Sequence, residues 1–537
     1  MKRLQEIGFC ILVLIAARHL SAQTIPSTAS VRAYDVVKNY GASGSAVTTT
    51  GTITASTNTL IVASTSSFLA GQGIFVAGAV SSAASNPAGN LITLITGVSG
   101  NTITLAANAT VGVTNALVQH DDTVAINDAI AAAFNNNGGV VWFPTTGVDG
   151  IYRCSAVANT ITGGVLTFPQ NLVYINVPTV QLMGEVEGQT NNNGLSLNPG
   201  GVGLDFSNAP NVAGNAAIST APFVAAGSGN YASIFEPVNV MVDNMIIFLP
   251  ASTKIHGLLF SNAMQASVGD RVSVLPKADA SGIWNQPQTG SIAGVWMPQA
   301  YNNVFNNVGS AGIFSMNHCL VAGDHLRLAR PDLTTCNVPL WINGGFDVVA
   351  GTVTIENSPL MVEMNPSPNN GNQPLDITID AESWGSGWAA RGTYDIVDTN
   401  QQLTGIVRYK LYGAPGGFPS LNINGAGNLN FMNLEQPPAY VSGITGCGTL
   451  GAASVSQFNS EIVGTITGAP TGSCPAVLTF TQSFTNGWSC WVNNRTHPGA
   501  TNTVTQASST GTTATFQGTT ISGDALNFGC TPIAGHP

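Results

Sequence analysis

The stretch His120–Pro144, HDDTVAINDAIAAAFNNNGGVVWFP, decides how the rest of the chain is read. Ile126, Ile130 and Phe134 recur every fourth residue, with Ala129 and Ala133 beside them, which makes one apolar stripe along a short helix over 123–134. Asp121 and Asp122 precede that helix, and either carboxylate can accept from the orphan N–H groups of its first turn. Asn135–Gly139 ends it, since Asn137 or Gly138 can take the left-handed backbone conformation that closes a helix. Val140–Phe143 is an uninterrupted apolar run, as expected of a strand buried on both faces, and Pro144 stops it.

Downstream, from Ile151 to Met432, short apolar runs alternate with turns of Asn, Gly, Ser and Pro, and no second long amphipathic helix interrupts them. Asn244, Asp270, Asp324, Asp347 and Asp376 each open a run of alternating apolar residues. The last three are 23 and 29 residues apart, the length of one coil of a β-solenoid, and the irregular period implies insertions between coils. A stack of coils needs a cap at its open end, and the 123–134 helix is placed to supply it. Upstream, Gly41–Gln119 holds no Asp, Glu, Lys or Arg; TLIVAS, GIFVAG, LITLITGV and NTITLA read as hairpin strands of a small uncharged β module. Beyond Gln436-Pro437-Pro438 the runs fit a compact β-sandwich. The expected division is a signal peptide at 1–22, the start of the solenoid at 23–49, the inserted module at 50–119, the solenoid at 120–436 and the sandwich at 437–537.

Composition narrows the class. Of 537 residues 44% are apolar and only 8% charged, roughly a third of the usual charged share, and disordered chains are charged and apolar-poor. The net charge of −11, with no basic patch, argues against nucleic acid as a partner. Lys2 and Arg3, the apolar core Ile7–Ala17 and Leu20-Ser21-Ala22 before Gln23 read as an export signal. That core is too short to span a membrane and no other segment of spanning length stands out, so a soluble secreted protein, extracellular or periplasmic, is expected. Seven cysteines follow the signal. Export favours disulfides: Cys319 with Cys336 closes a 17-residue loop, the last four form two pairs of open connectivity, and Cys154 is left over.

AYDVVKNYGASGSA (residues 33–46), followed by the opening stretch, resembles the start of the pectate-lyase-like superfamily, in its rhamnogalacturonase/epimerase-like branch. Tyr40-Gly41-Ala42, Asp121-Asp122-Thr123 and Gly138–Pro144 carry the likeness. This chain departs from the pattern by placing about 70 residues between the glycine turn and the Asp-Asp-Thr, and by loosening the G-x-Y after the proline to Gly147–Tyr152. The resemblance implies an all-β right-handed parallel β-helix acting on a carbohydrate polymer bound along its outer face. A hydrolase needs two carboxylates about 5 to 9.5 Å apart. A lyase needs a base beside a uronate carboxylate, with cations or calcium stabilising the charge. No resident cofactor or metal is otherwise implied.

The densest polar cluster is Gly323–Arg330. There Asp324 or His325 could act as acid or base, and Arg327 or Arg330 could bind acidic sugar groups; the alternative is a strand with an internal ion pair. Asp347, about one coil on, could complete a carboxylate pair with Asp324. A second cluster joins Asp380 and Glu382 as catalytic candidates to Trp384, Trp388 and Arg391 as substrate-binding ones, with aromatic packing under a loop as the alternative. Arg408-Tyr409-Lys410 matches an isolated R-x-K of polygalacturonases, but no G-H-G accompanies it, so that mechanism is not carried over. Glu185 and His120–Asp122 read as structural. The leading expectation is an exported glycoside hydrolase, ahead of a polysaccharide lyase; the alternative is a non-catalytic carbohydrate-binding protein of tailspike or adhesin type. The sequence leaves the oligomeric state open, a homotrimer included.

Overall fold

The computed structural model describes residues 32–83, 86–146, 150–155, 160–162, 165–167, 173–174, 180–186, 201–213, 215–219, 240–260, 267–277, 293–297, 306–322, 326–342, 348–364, 373–382, 394–398, 403–411, 423–424, 428–433, 441–455, 462–467, 474–480, 487–496, 504–518 and 524–532. Among the described residues the fold is almost all β, with one helix, Thr123–Asn135, and large parallel sheets.

Three stacks of parallel strands form the centre, and the chain visits them in rotation. Gly139–Phe143 lies in the first stack, Gly150–Arg153 in the second and Val173–Tyr174 in the third; Val180–Gly184, Val202–Asp205 and Ala216–Ser219 repeat the circuit one rung on. The rotation continues to Leu403–Leu411, Ile423–Asn424 and Asn428–Asn433. Register measures each circuit: Met241, Ser267, Asn307, Arg327, Val349, Asp376, Ile406 and Asn430 are successive partners, at steps of 26, 40, 20, 22, 27, 30 and 24 residues. The period is as irregular as the sequence implies.

Corners between stacks are made by residues in the left-handed region. Asn244 and Arg271 (both φ 60°) turn the chain from the first stack to the second, and Ser315, Thr335 and Asn357 (φ 58°, 57° and 50°) from the second to the third. Asn244 and Asp270 are therefore corner residues and not strand starts, whereas Asp376 lies within the strand Gln373–Glu382. From Val348–Glu356 onward the first two stacks merge into single long strands, with a register shift between Val349 and Thr352. Inward residues of all three stacks, among them Val242, Val274, Ile313, Leu340, Ile355 and Ile379, build one continuous core.

The helix packs over the first rungs and buries Ile126, Ala129, Ile130 and Ala133 in that core. Its N-terminus is finished by only one of the two aspartates. Asp121 Oδ1 accepts the Thr123 N–H at 3.1 Å, whereas the Asp122 carboxylate turns away and accepts the Ser43 N–H (2.6 Å) and Arg153 N–H (3.2 Å). At the other end both Asn137 (φ 63°) and Gly138 (φ 103°) are left-handed, and the Gly138 N–H returns to the Ala133 carbonyl at 2.8 Å. Gly139–Phe143 is not sealed on both faces: Val141 and Phe143 are fully buried, but Trp142 on the outward side is half-buried.

Thr48–Ile53, Thr59–Val62, Gly73–Val76, Leu91–Ser99, Thr102–Leu105 and Val113–His120 close into a six-stranded antiparallel barrel with its own core. Val441–Pro532 forms two four-stranded antiparallel sheets whose inward residues, including Trp488, Phe516 and Phe528, share a further core. The disulfides are Cys319–Cys336, Cys447–Cys474 and Cys490–Cys530, with Cys154 free and buried. Among the described residues no helix is long and apolar enough to cross a membrane. Residues 1–22, read as an export signal, lie outside the described residues.

Candidate functional site

The first stack carries an open groove of about 840 Å³ on its outward side, between Met241–Asp243 and Leu326–Leu328. Asp243, Asp270, Arg271, Arg327, Ser267 and Ser310 supply its polar lining. Alternation explains why these side chains reach it: Val242, Val268, Val308 and Leu328 point into the core at successive rungs, so their neighbours face out.

Two glycines shape the groove. A Cβ on Gly269 would lie 2.5 Å from Asp243 Oδ1, and one on Gly309 would lie 2.5 Å from Asp270 Oδ1. Each carboxylate thus lies across the bare position of the next rung. The Ser310 N–H donates to Asp270 Oδ1 at 2.8 Å and holds it there. Burial pushes the Asp243 carboxyl up from its ordinary value; the nearby Arg271 opposes this and Asp270 adds to it. A carboxyl pushed upward by burial, a second carboxyl group on the adjacent rung and two guanidinium groups share one concavity, a set suited to acid–base work on a glycosidic bond.

A second group of acidic positions runs from the second-stack strand Asp332–Thr334 onto the merged strands that follow it. Asp332, Thr354, Asp380 and Lys410 are successive partners, as are Thr334, Glu356 and Glu382. With parallel strands about 4.8 Å apart, Asp332 and Asp380 are separated by roughly 10 Å along this ladder. Asp332, Glu356 and Asp380 are half-buried, between inward Leu333, Val353, Ile355 and Ile379. Asp376 and Arg408 form an ion pair beside them. Arg408 is paired on both sides, with Thr378 and Met432, whereas Lys410 is paired with Asp380 on one side.

Of the residues singled out in the sequence, Arg327 and Arg330 are exposed, and Arg327 lines the groove. Asp380 and the backbone of Glu382 lie on the second ladder. Asp324, His325, Asp347, Trp384, Trp388 and Arg391 lie outside the described residues. Asp243 was not singled out, and Asp270 only as the start of a run. The signal that could have found them is Gly269 opposite Asp243 and Gly309 beside Asp270, which acquires meaning only once the steps of 26 and 40 residues that align positions 243, 269 and 309 are known. Glu185 has a structural partner, its Oε2 accepting the N–H and hydroxyl of Thr145 at 2.7 and 2.9 Å. Among the described residues no three His, Cys, Asp or Glu side chains gather as a metal site would require.

His120, Asp121 and Asp122 sit in a buried polar junction between barrel, helix and first coil. His120 stacks on Phe68 with centroids 4.4 Å apart. Arg153 donates to the Gln119 side chain and, at 2.6 Å, to the Ala46 carbonyl, while the Ser155 N–H donates to Asp121 Oδ2 at 2.8 Å. Burial lowers His120 to about 4 and, with a lesser push from Asp121, raises Asp122 to about 7 against its backbone donors. The junction is at most 8% exposed at His120, Asp121, Asp122 and Arg153, which leaves a polymer no access.

No family model matches the sequence, and no curated protein matches it either. Solved structures similar to this one include a DFA-IIIase from Arthrobacter chlorophenolicus in complex with DFA-III, at 13% identity and a TM-score of 0.36, covering 59% of this chain and 81% of that one. The tailspike of Acinetobacter baumannii bacteriophage Fri1, a capsular polysaccharide depolymerase, is 10% identical with a TM-score of 0.31, covering 82% and 92% of the two chains. A GH87 alpha-1,3-glucanase from Streptomyces thermodiastaticus is 14% identical with a TM-score of 0.24, covering 72% and 86%. At these scores the likeness assigns no activity. The rotation of parallel strands and the capping helix agree with the pectate-lyase-like resemblance of the opening motif.

Proposed function

We propose that this chain is an exported polysaccharide-acting enzyme, a glycoside hydrolase ahead of a lyase, built on a right-handed parallel β-helix. In this reading residues 50–119 are an insertion, 120–436 the β-helix and 437–537 an appended sandwich. An extended sugar chain lies along the outward face of the first stack. The observation that carries the reading is Asp243, lying across the bare Gly269 position beside Asp270 in a groove also lined by Arg271 and Arg327, with burial pushing its carboxyl upward. Asp243 protonates the leaving glycosidic oxygen, and the Asp270 carboxylate activates water or attacks the anomeric carbon. Arg271 and Arg327 bind acidic substituents of the polymer. Asp380 and Glu382, with Asp332 and Glu356, form the alternative catalytic ladder, favoured by their placement on successive rungs. Asp324, His325 and Asp347 remain candidates from the sequence.

The test is incubation of the purified full chain with a panel of plant and bacterial polysaccharides. New reducing ends mean hydrolysis, absorbance of an unsaturated uronate means elimination, and retention without products means a binding protein. Once products appear, Asp243→Asn and Asp270→Asn should each slow their formation about 10²-fold or more. If those variants retain full activity and Asp380→Asn loses it, the chemistry belongs to the second ladder.

A further inference from the structure

We propose that the C-terminal pair of sheets carries a separate binding face for an uncharged glycan, with Trp491 as its stacking platform. The face is the outer side of the sheet ordered Thr449–Val455, Ile462–Thr467, Ala525–Pro532, Trp488–Asn494. Alternation along the last strand is clear: Trp488 is buried, Val492 packs on the core, and Ser489, Trp491 and Asn493 are exposed. Trp491 is 45% exposed, and among the described residues of these two sheets no other large apolar side chain is exposed.

Register defines what surrounds it. Val463, Gly529 and Trp491 form one row; Thr465, Asn527 and Asn493 form the next. The position facing Trp491 thus carries no side chain, and the row beside it offers hydroxyl and amide groups. These strand positions bear no charge; Arg495 lies just beyond the strand's end. A protein-binding surface of this size would present several apolar anchors. One aromatic ring among amides and hydroxyls suits a sugar instead, whose C–H face stacks on the indole while its hydroxyls bond to Asn493, Asn527 and Thr465.

The platform is built rigidly. Cys490 and Cys530 are direct cross-strand partners joined by a disulfide next to the Trp491–Gly529 row. Trp488–Asn494 is the outer strand of its sheet, but its edge is occupied: the Gln506 side chain accepts the Cys490 N–H at 2.7 Å and donates to the Trp488 carbonyl at 2.6 Å. That contact blocks strand addition at this point, which disfavours a peptide or a second copy as the occupant.

Affinity electrophoresis of the full chain, in gels containing hydroxyethylcellulose, laminarin, dextran or polygalacturonate, tests the proposal. At least one neutral polymer should retard the protein. Trp491→Ala should raise the apparent Kd at least tenfold with an unchanged Tm, and Trp491→Phe should restore part of the affinity. Retardation by polygalacturonate, an acidic polymer suited to the arginine-lined groove, should be the same for Trp491→Ala and wild type, which separates this face from the groove. Equal retardation of Trp491→Ala and wild type by every neutral polymer, or no retardation by any of them, overturns the proposal. So does a shift to a smaller oligomer on Trp491→Ala in sedimentation, since the face would then be a contact between copies.

Discussion

Asp243 illustrates how little backbone a site requires. Its carboxylate occupies space that Gly269 leaves open on the next rung, so the glycine positions the acid without touching a substrate. Gly269→Ala should therefore reduce turnover nearly as far as Asp243→Asn, which should lose about 10²- to 10⁴-fold for a general acid. Initial rates on the cleaved polymer, read beside unchanged circular dichroism, check this; full activity in Gly269→Ala would remove Asp243 from the chemistry. The junction residues make a different prediction, about pH. The folded state holds His120 at about 4, below its unfolded value of 6.5, so its contribution to stability is present above pH 6.5 and fades as pH falls toward 4. His256, also lowered to about 4 by burial, adds in the same sense. Asp122, raised to about 7 from 3.8, acts oppositely: its contribution is full below pH 3.8 and is lost as pH rises through 7. His120→Gln should flatten the fall in Tm between pH 6.5 and 4, and Asp122→Asn should steepen it. Parallel Tm profiles in all three proteins would show that the junction does not titrate.

At the scale of elements, the disulfides act on different parts. Cys319 lies in the third-stack strand His318–Ala322 and Cys336 just before its rung neighbour Val338–Ile342, so their bond ties consecutive coils. Closing 17 residues is worth about 3 kcal/mol by the chain-entropy estimate. Replacing both by alanine should lower the denaturant midpoint of the large central transition and leave any separate C-terminal transition in place. Replacing Cys490 and Cys530 should do the reverse. Element scale is also where sequence reading worked best. The helix was legible because its apolar stripe has a period no strand shares, and it ends one residue beyond the expected 134. The hairpin strands of the barrel were legible from β-branched runs between small polar residues. Asp122 was less so: its side chain serves Ser43 and Arg153, far away in sequence, and not the helix it precedes.

At the scale of the molecule, the barrel has the geometry of an insertion. Thr48 and Gln119 are antiparallel partners, so its first strand begins beside the end of its last. Replacing 49–118 by a short turn should leave the parallel stacks folded, with a lower Tm because Phe68 no longer covers His120. The acid-dependent change attributed to His120 should disappear with it, which a pH series of melting curves would reveal. Loss of the parallel-sheet signal would mean that the barrel is needed to assemble the first coils. The sequence by itself determined that short strands repeat at coil length, that one helix caps them, which cysteines had partners within reach, and that charge is scarce. Those properties are local, set by side-chain periodicity and composition. Only the tertiary structure decided which carboxylates share a groove. Coil lengths vary from 20 to 40 residues between Met241 and Asp376, so residues far apart in the chain become neighbours at 4.8 Å only after the register is established. The placement of Asp243 over Gly269 with Asp270 beside it exists only in that register, as the row of Trp491 and bare Gly529 exists only in the antiparallel register of the C-terminal sheet.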